Sequence, residues 1–237
     1  LEFRRVLFRS ATGWKNIGGP WYYLGPSGAM LTGWQYIGSR WYFLDSSGAM
    51  LTGWQSINGN WYYLDGSGAL AKGWIDADGS RYYSNSDGVM HTGWLQDGGH
   101  WYFMRGNGAM ATGWRDMDGS WYFFNQDGQM VTGWQSIDGI WYYFDGNGHM
   151  ATGITDVGGV KYYLDDQGRM AANTEVTVDG VNYTADGSGA LSLVEQPPAE
   201  GGEASNESPD SQSSPNAGQS GTNDAPIITG VSGGPGV

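Results

Sequence analysis

Between residues 12 and 191 short aromatic-rich runs alternate with runs of Gly, Ser, Asn and Asp. In "TGWQSINGNWYYLDGSGAL", residues 52 to 70, the apolar positions Trp54 and Ile57 lie on one side of Asn58-Gly59, and Trp61, Tyr62, Tyr63 and Leu64 on the other. Such a dipeptide tolerates the positive φ angles of a type I′ turn, so the spacing predicts a β-hairpin. The unit returns every twenty residues, starting at Thr12, Thr32, Thr52, Lys72, Thr92, Thr112, Thr132 and Thr152, and these eight units run without insertion to Ala171. Gly18-Gly19, Asp78-Gly79, Asp118-Gly119 and Asp138-Gly139 occupy the same turn. A ninth unit, 172 to 191, keeps the turn, one tyrosine and the Gly-x-Leu ending with a one-residue shift, and 172–194 reads as a degenerate capping repeat. A lone hairpin is marginal in water, so the units must stack. The expected fold is all-β, a solenoid of hairpins joined by Gly-rich connectors such as "DGSGAL" from Asp65.

A two-residue turn also fixes which residues share a face. In the third unit Ser56 should oppose Trp61, Gln55 should oppose Tyr62 and Trp54 should oppose Tyr63, and neighbours along a strand alternate. Trp54, Trp61 and Tyr63 then fall on one side, Ile57, Tyr62 and Leu64 on the other. The second side carries the aliphatic positions a stacking core needs: Ile17, Ile37, Ile57, Met117, Ile137 and Val157 at its start, and Leu24, Leu44, Leu64, Phe124, Phe144 and Leu164 at its end. The first is almost purely aromatic.

Composition sharpens this contrast. The 237 residues include 42 Gly, 13 Trp and 15 Tyr, so the packing must rest on aromatic rings more than on Leu, Ile and Val. A formal net charge of −13 argues against nucleic acid and against an anionic membrane surface, and leaves a cationic or neutral partner. With no cysteine there is no disulfide framework, thiol nucleophile or Cys-based zinc site, which suits an exported bacterial protein. No run of about 18 apolar residues exists to insert in a membrane.

The two ends differ from the repeats. "LEFRRVLFRS", residues 1–10, is basic and resembles a translated sequencing-library adapter, so it is set aside from fold reasoning, and the true start of the protein is expected upstream. Residues 195–237 are rich in Pro, Gly, Ser and acid without an aromatic residue, and are expected to form a disordered tail.

An aromatic stripe of this kind fits either a packed core or a ligand site. Two features favour a ligand: Trp recurs at both face positions where Leu or Ile would pack as well, and aromatic walls at right angles suit quaternary ammonium groups. The unit "TGWQSIDGIWYYFDGNGHMA", residues 132–151, resembles the choline-binding, or cell-wall-binding, repeat of Gram-positive surface proteins and phage-type lysins. Related repeats occur in glucan-binding proteins and in the receptor-binding tails of clostridial toxins. The resemblance covers 12–171 clearly and 172–191 weakly. It implies a superhelical hairpin solenoid at the bacterial cell surface, in which choline sits between successive hairpins, held by two tryptophans of one unit and an aromatic of the next.

Carried over by position, the resemblance implies that Trp34 and Trp41 pair with Tyr63, Trp54 and Trp61 with Tyr83, Trp114 and Trp121 with Tyr143, and Trp134 and Trp141 with Tyr163. Trp14 and Trp21 meet Phe43, and Trp94 and Trp101 meet Phe123, keeping a π wall without the hydroxyl. Arg81 replaces the second tryptophan of the fourth unit, where it should repel a cation from Trp74 and Phe103. Unit eight has Ile154 and Lys161 in place of tryptophans and should open no site of its own. The recurring Met30, Met50, Met110, Met130 and Met150 fit either cage lining or packing within the connector.

No catalytic constellation recurs. His91, His100 and His149 fall at unrelated positions of the unit, and the Asp residues sit in turns where Asp-Gly has a backbone explanation. "DADG" at Asp76 and "DMDG" at Asp116 echo calcium loops but lack the remaining ligands, so neither a metal nor another cofactor is expected. The favoured function is a non-enzymatic wall anchor for choline or phosphocholine on teichoic acids, joined to a hydrolase or adhesin domain upstream. A glycan-binding module and a purely structural stalk remain as alternatives, since indole faces also stack on sugar rings.

Overall fold

The computed structural model describes residues 11–195. The readings made above for residues 1–10 and 196–237 lie outside the described residues. The described chain forms nine antiparallel hairpins, each with its own small sheet; only the last has a third strand, Leu191–Leu193. The third hairpin, Gly53–Ile57 with Asn60–Leu64, pairs Trp54 with Tyr63, Gln55 with Tyr62, Ser56 with Trp61 and Ile57 with Asn60, the register read from the turn. Asn58 and Gly59 have φ of 52° and 84°, as a type I′ turn requires. The ninth hairpin, Thr174–Val178 with Val181–Ala185, starts one residue later in its unit and turns at Asp179-Gly180.

After every hairpin but the first and the fifth, which are followed by Gly25 and Arg105, an Asp or Asn side chain caps the turn that reverses the chain. Asp65 Oδ1 accepts from the backbone N–H of Ser67 at 2.7 Å and of Ala69 at 3.1 Å, and from the Ser67 hydroxyl at 2.6 Å. A carboxylate or side-chain amide oxygen serves here by standing in for a backbone carbonyl, and Asn85 does the same for Asp87 and Val89. The reversed chain then returns along its own hairpin, Ala71 N–H donating to the Tyr63 carbonyl at 2.9 Å.

Successive hairpins are not joined by continuous sheet. A backbone staple joins the end of a connector to the hairpin before: Leu70 N–H donates to the Trp41 carbonyl, Met90 to Trp61, Met130 to Trp101 and Met150 to Trp121, at 2.7–2.8 Å. The methionines therefore belong to the connectors. Met50 lies on Gly68 of the following connector so closely that a Cβ there would collide with its sulfur, and Gly68 also has a φ of 81°. Side-chain volume and backbone angle both demand glycine at that contact.

The most deeply buried large side chains form a column at the end of the second strand, flanked by buried Ile75, Leu95, Ala111 and Tyr122. Leu44, Leu64, Met104, Phe124, Phe144 and Leu164 are all 0% exposed. The position before the turn, expected to share this role, is half-buried at Ile17, Ile37, Met117, Ile137 and Val157, and buried only at Ile57. It lies next to the turn, where fewer neighbours can cover it. Ser84 takes the column position in the fourth hairpin, is equally buried, and its hydroxyl has no hydrogen-bond partner.

Candidate functional site: the aromatic junctions

In the seven hairpins that carry it, the first tryptophan lies between two rings. Trp54 meets Tyr63 across its own strand pair, with centroids 5.1 Å apart, and Tyr82 of the next hairpin at 4.8 Å. The same tilted or edge-on geometry recurs for Trp14 with Tyr42, Trp34 with Tyr62, Trp94 with Tyr122, Trp114 with Tyr142 and Trp134 with Tyr162, at 4.7–5.2 Å. These offset contacts satisfy the ring quadrupoles and tie hairpin to hairpin. Strand alternation within one hairpin puts the Tyr62 series on the core side and the Trp54 series on the open side. In the structure the two meet, because the aromatic face of one hairpin packs onto the opposite face of the next.

The second tryptophan of the pair stays at the surface: Trp21, Trp41, Trp61, Trp101, Trp121 and Trp141 are 41–47% exposed. The two indoles stand nearly perpendicular where they meet, 87° apart for Trp34 and Trp41, 89° for Trp94 and Trp101, and 79° for Trp114 and Trp121, with centroids 6.1–6.4 Å apart. The connector staple holds the backbone of this second tryptophan, since its carbonyl accepts the N–H of a connector methionine or, at Trp41, of Leu70.

The residues that the resemblance assigned to the third wall are half-buried. Phe43 packs on Trp34, Tyr63 on Trp54, Phe123 on Trp114 and Tyr143 on Trp134, each within its own hairpin at 5.1–5.2 Å. Tyr83 likewise packs on Trp74, and Tyr163 lies across from Ile154. The rings the structure brings to the preceding tryptophan are the neighbouring tyrosines, Tyr42, Tyr62, Tyr82, Tyr102, Tyr122, Tyr142 and Tyr162, which the sequence reading left out of the site. A signal for them was present: this position is Tyr in all eight regular units, whereas the next one varies between Tyr and Phe.

Local electrostatics differ from junction to junction. Burial, then the charges of Asp145 and Asp118, push the Tyr122 hydroxyl above its ordinary pKa. Burial, and then the nearby charge of Arg115, lower the pKa of Arg105; the Nε atoms of both arginines are buried without a partner. The Trp54 indole N–H is also buried and unpartnered. Among the described residues no group of three or more His, Asp or Glu could hold a metal ion, and no helix is long and apolar enough to cross a membrane.

The choline-binding repeat family model matches residues 11–52, 31–72, 51–85, 71–112 and 111–153, and a cell wall binding repeat model matches 154–170. The chain belongs to the choline-binding repeat family. Among solved structures of the family it is similar to CbpJ from Streptococcus pneumoniae TIGR4, with 34% identity, a TM-score of 0.70, and coverage of 78% of this chain and 72% of that one. Choline binding protein F of the same organism matches at 40% identity and a TM-score of 0.64, over 68% of this chain and 57% of that one. The choline-binding domain of CbpL from Streptococcus pneumoniae matches at 31% identity and a TM-score of 0.57, over 79% of this chain and all of that domain (100%). A search of curated proteins gives no match.

Proposed function

We propose that residues 12–171 are a non-covalent cell-wall anchor that grips choline groups of teichoic acid in the inter-hairpin aromatic junctions. The observation that carries this reading is the perpendicular indole pair whose second member is exposed, seen at Trp34 with Trp41, Trp94 with Trp101 and Trp114 with Trp121. A trimethylammonium group has no N–H to donate, so it cannot be held by hydrogen bonds; it is held by the negative faces of aromatic rings. Two indoles at right angles present such faces from two directions, and the net charge of −13 favours a cation over an anion. The sites proposed are Trp14 with Trp21, Trp34 with Trp41, Trp54 with Trp61, Trp94 with Trp101, Trp114 with Trp121 and Trp134 with Trp141. The third walls proposed, from the next hairpin, are Phe43, Tyr63, Tyr83, Phe123, Tyr143 and Tyr163.

Cation–π contacts contribute about 0.5–2 kcal/mol each, so a single cage gives roughly millimolar affinity. Several cages on a choline-bearing polymer multiply it by effective concentration. Choline binding protein F has been solved with a tetrasaccharide-pentapeptide peptidoglycan analogue, which supports a wall polymer as the natural surface.

Titrating choline against tryptophan fluorescence tests the reading. A saturable change up to roughly tens of millimolar, diminished when Trp54 and Trp61 are both replaced by Leu, is expected. A flat titration together with retention on a dextran column would replace the choline reading by a glycan one.

A further inference from the structure

The fourth hairpin, Gly73–Ala77 with Ser80–Ser84, departs from its neighbours on both sides at its second cage position, where Arg81 stands in place of tryptophan. Its guanidinium carbon lies 5.0 Å from the centroid of the Trp74 ring, over its face. Arg81 is paired in register with Asp76, whose carboxylate lies 3.5 Å from Arg81 Nε and holds the side chain from below. The Trp74 indole N–H donates to Asp97 Oδ2 of the fifth hairpin at 2.9 Å, which fixes the ring from the other side. Tyr83 and Tyr102 complete the surround at 5.2 and 4.9 Å. This junction thus has a tryptophan, flanking rings and a cation on the tryptophan face, and the cation belongs to the chain.

We propose that Arg81 is a built-in occupant of the fourth aromatic junction, closing it to external quaternary ammonium groups and dividing the binding row into two separate groups of cages. The inference rests on the choline reading and adds to it a residue that decides which junctions are open. Electrostatic repulsion alone would leave an empty Trp74 face; the geometry instead puts a tethered cation on it. A tethered group competes at an effective concentration of about millimolar or more. A free cation of roughly millimolar affinity therefore gains nothing by displacing it, and also meets its charge. Arg suits this role better than Lys because its flat, weakly hydrated guanidinium stacks on an aromatic face. The cages at Trp54 with Trp61 and at Trp94 with Trp101 then stand on either side of a closed step.

Nuclear magnetic resonance of the intact chain tests this directly. The Arg81 Nε–H signal, assigned by its loss in Arg81→Gln, should be shifted upfield by the indole ring current. On adding choline chloride, indole N–H signals of the open cages should move while those of Arg81 and Trp74 stay in place. An Arg81 signal at its ordinary position, or one that moves with the cages as choline is added, overturns the proposal. If no indole signal moves at all, the choline reading fails, and the occupancy proposal with it. As a second measurement, Arg81→Trp should bind one more choline per chain than the parent in equilibrium dialysis, with an unchanged β-sheet circular dichroism spectrum. An unchanged stoichiometry in the folded variant also overturns it.

Discussion

Ser84 shows how one residue can depart from the repeat inside the core. Its position holds Leu, Met or Phe in the neighbouring units, and where it is Phe124 or Phe144 the ring packs on Trp94 or Trp114 of the preceding hairpin, with centroids 5.8 and 5.7 Å apart. Ser84 stands in the equivalent relation to Trp54 and offers it a single hydroxyl without a partner, while the Trp54 indole N–H is unpartnered as well. Replacing this serine by leucine exchanges an unsatisfied polar group for apolar contact. Ser84→Leu should stabilise the hairpin stack by about 1–3 kcal/mol, read as a higher urea midpoint; a lower midpoint would show that the column has no room there. In the sequence Ser84 stands where the units on either side carry Leu64 and Met104. That the exception lies in a fully closed layer is visible only once the hairpins are stacked.

The connector is the element on which stacking depends, and its carboxylates make that dependence titratable. The Ser47 hydroxyl is the main reason Asp45 lies below the ordinary carboxylate pKa. At Asp65 burial pushes the value up, but the Ser67 hydroxyl and the backbone N–H groups of Ser67 and Ala69 outweigh it and leave it lowered. Asp145 and Asp165 behave in the same way, burial being outweighed chiefly by the N–H groups of His149 and Arg169. A folded pKa below the unfolded one means that the carboxylates stabilise the fold above about pH 4 and that this contribution is lost as pH falls through the depressed values. Thermal melts followed by circular dichroism should therefore vary little near neutrality and fall below about pH 4. Asn85 holds the same turn with a neutral amide. Converting Asp45, Asp65, Asp145 and Asp165 to Asn should keep the fold and flatten the acid decline; an equally steep decline would place the acid sensitivity elsewhere.

At the scale of the whole stack, function depends on number and spacing. On the proposed reading each junction alone would bind weakly, and the grip on a polymer would come from neighbours at a fixed twenty-residue step. Trp41 and Trp121 lie at the surface, so their removal disturbs little packing. Replacing both with Leu should lower affinity for a choline-bearing polymer by roughly tenfold or more, while the remaining cages keep their affinity for free choline. Surface plasmon resonance on choline-coated and wall-polymer surfaces, beside a free-choline titration, distinguishes the two effects. Equal loss in both measurements would show that the tryptophans support the fold and not the grip.

The sequence by itself determined the hairpin, its turn, its register and the twenty-residue step. Each follows from short-range rules: positive φ at Asn58-Gly59, alternation along two strands, and exact repetition. It also marked the tryptophans and the odd residue Arg81. Only the tertiary structure decided how one hairpin lies on the next. The choice of Tyr82 as the ring against Trp54, the seat of Met50 on Gly68 and the bond from the Trp74 indole to Asp97 depend on the rotation between hairpins. No pairing rule within a hairpin specifies that rotation. It is set by the connector staples and by the packing of rings from different units, contacts between residues more than a full repeat apart.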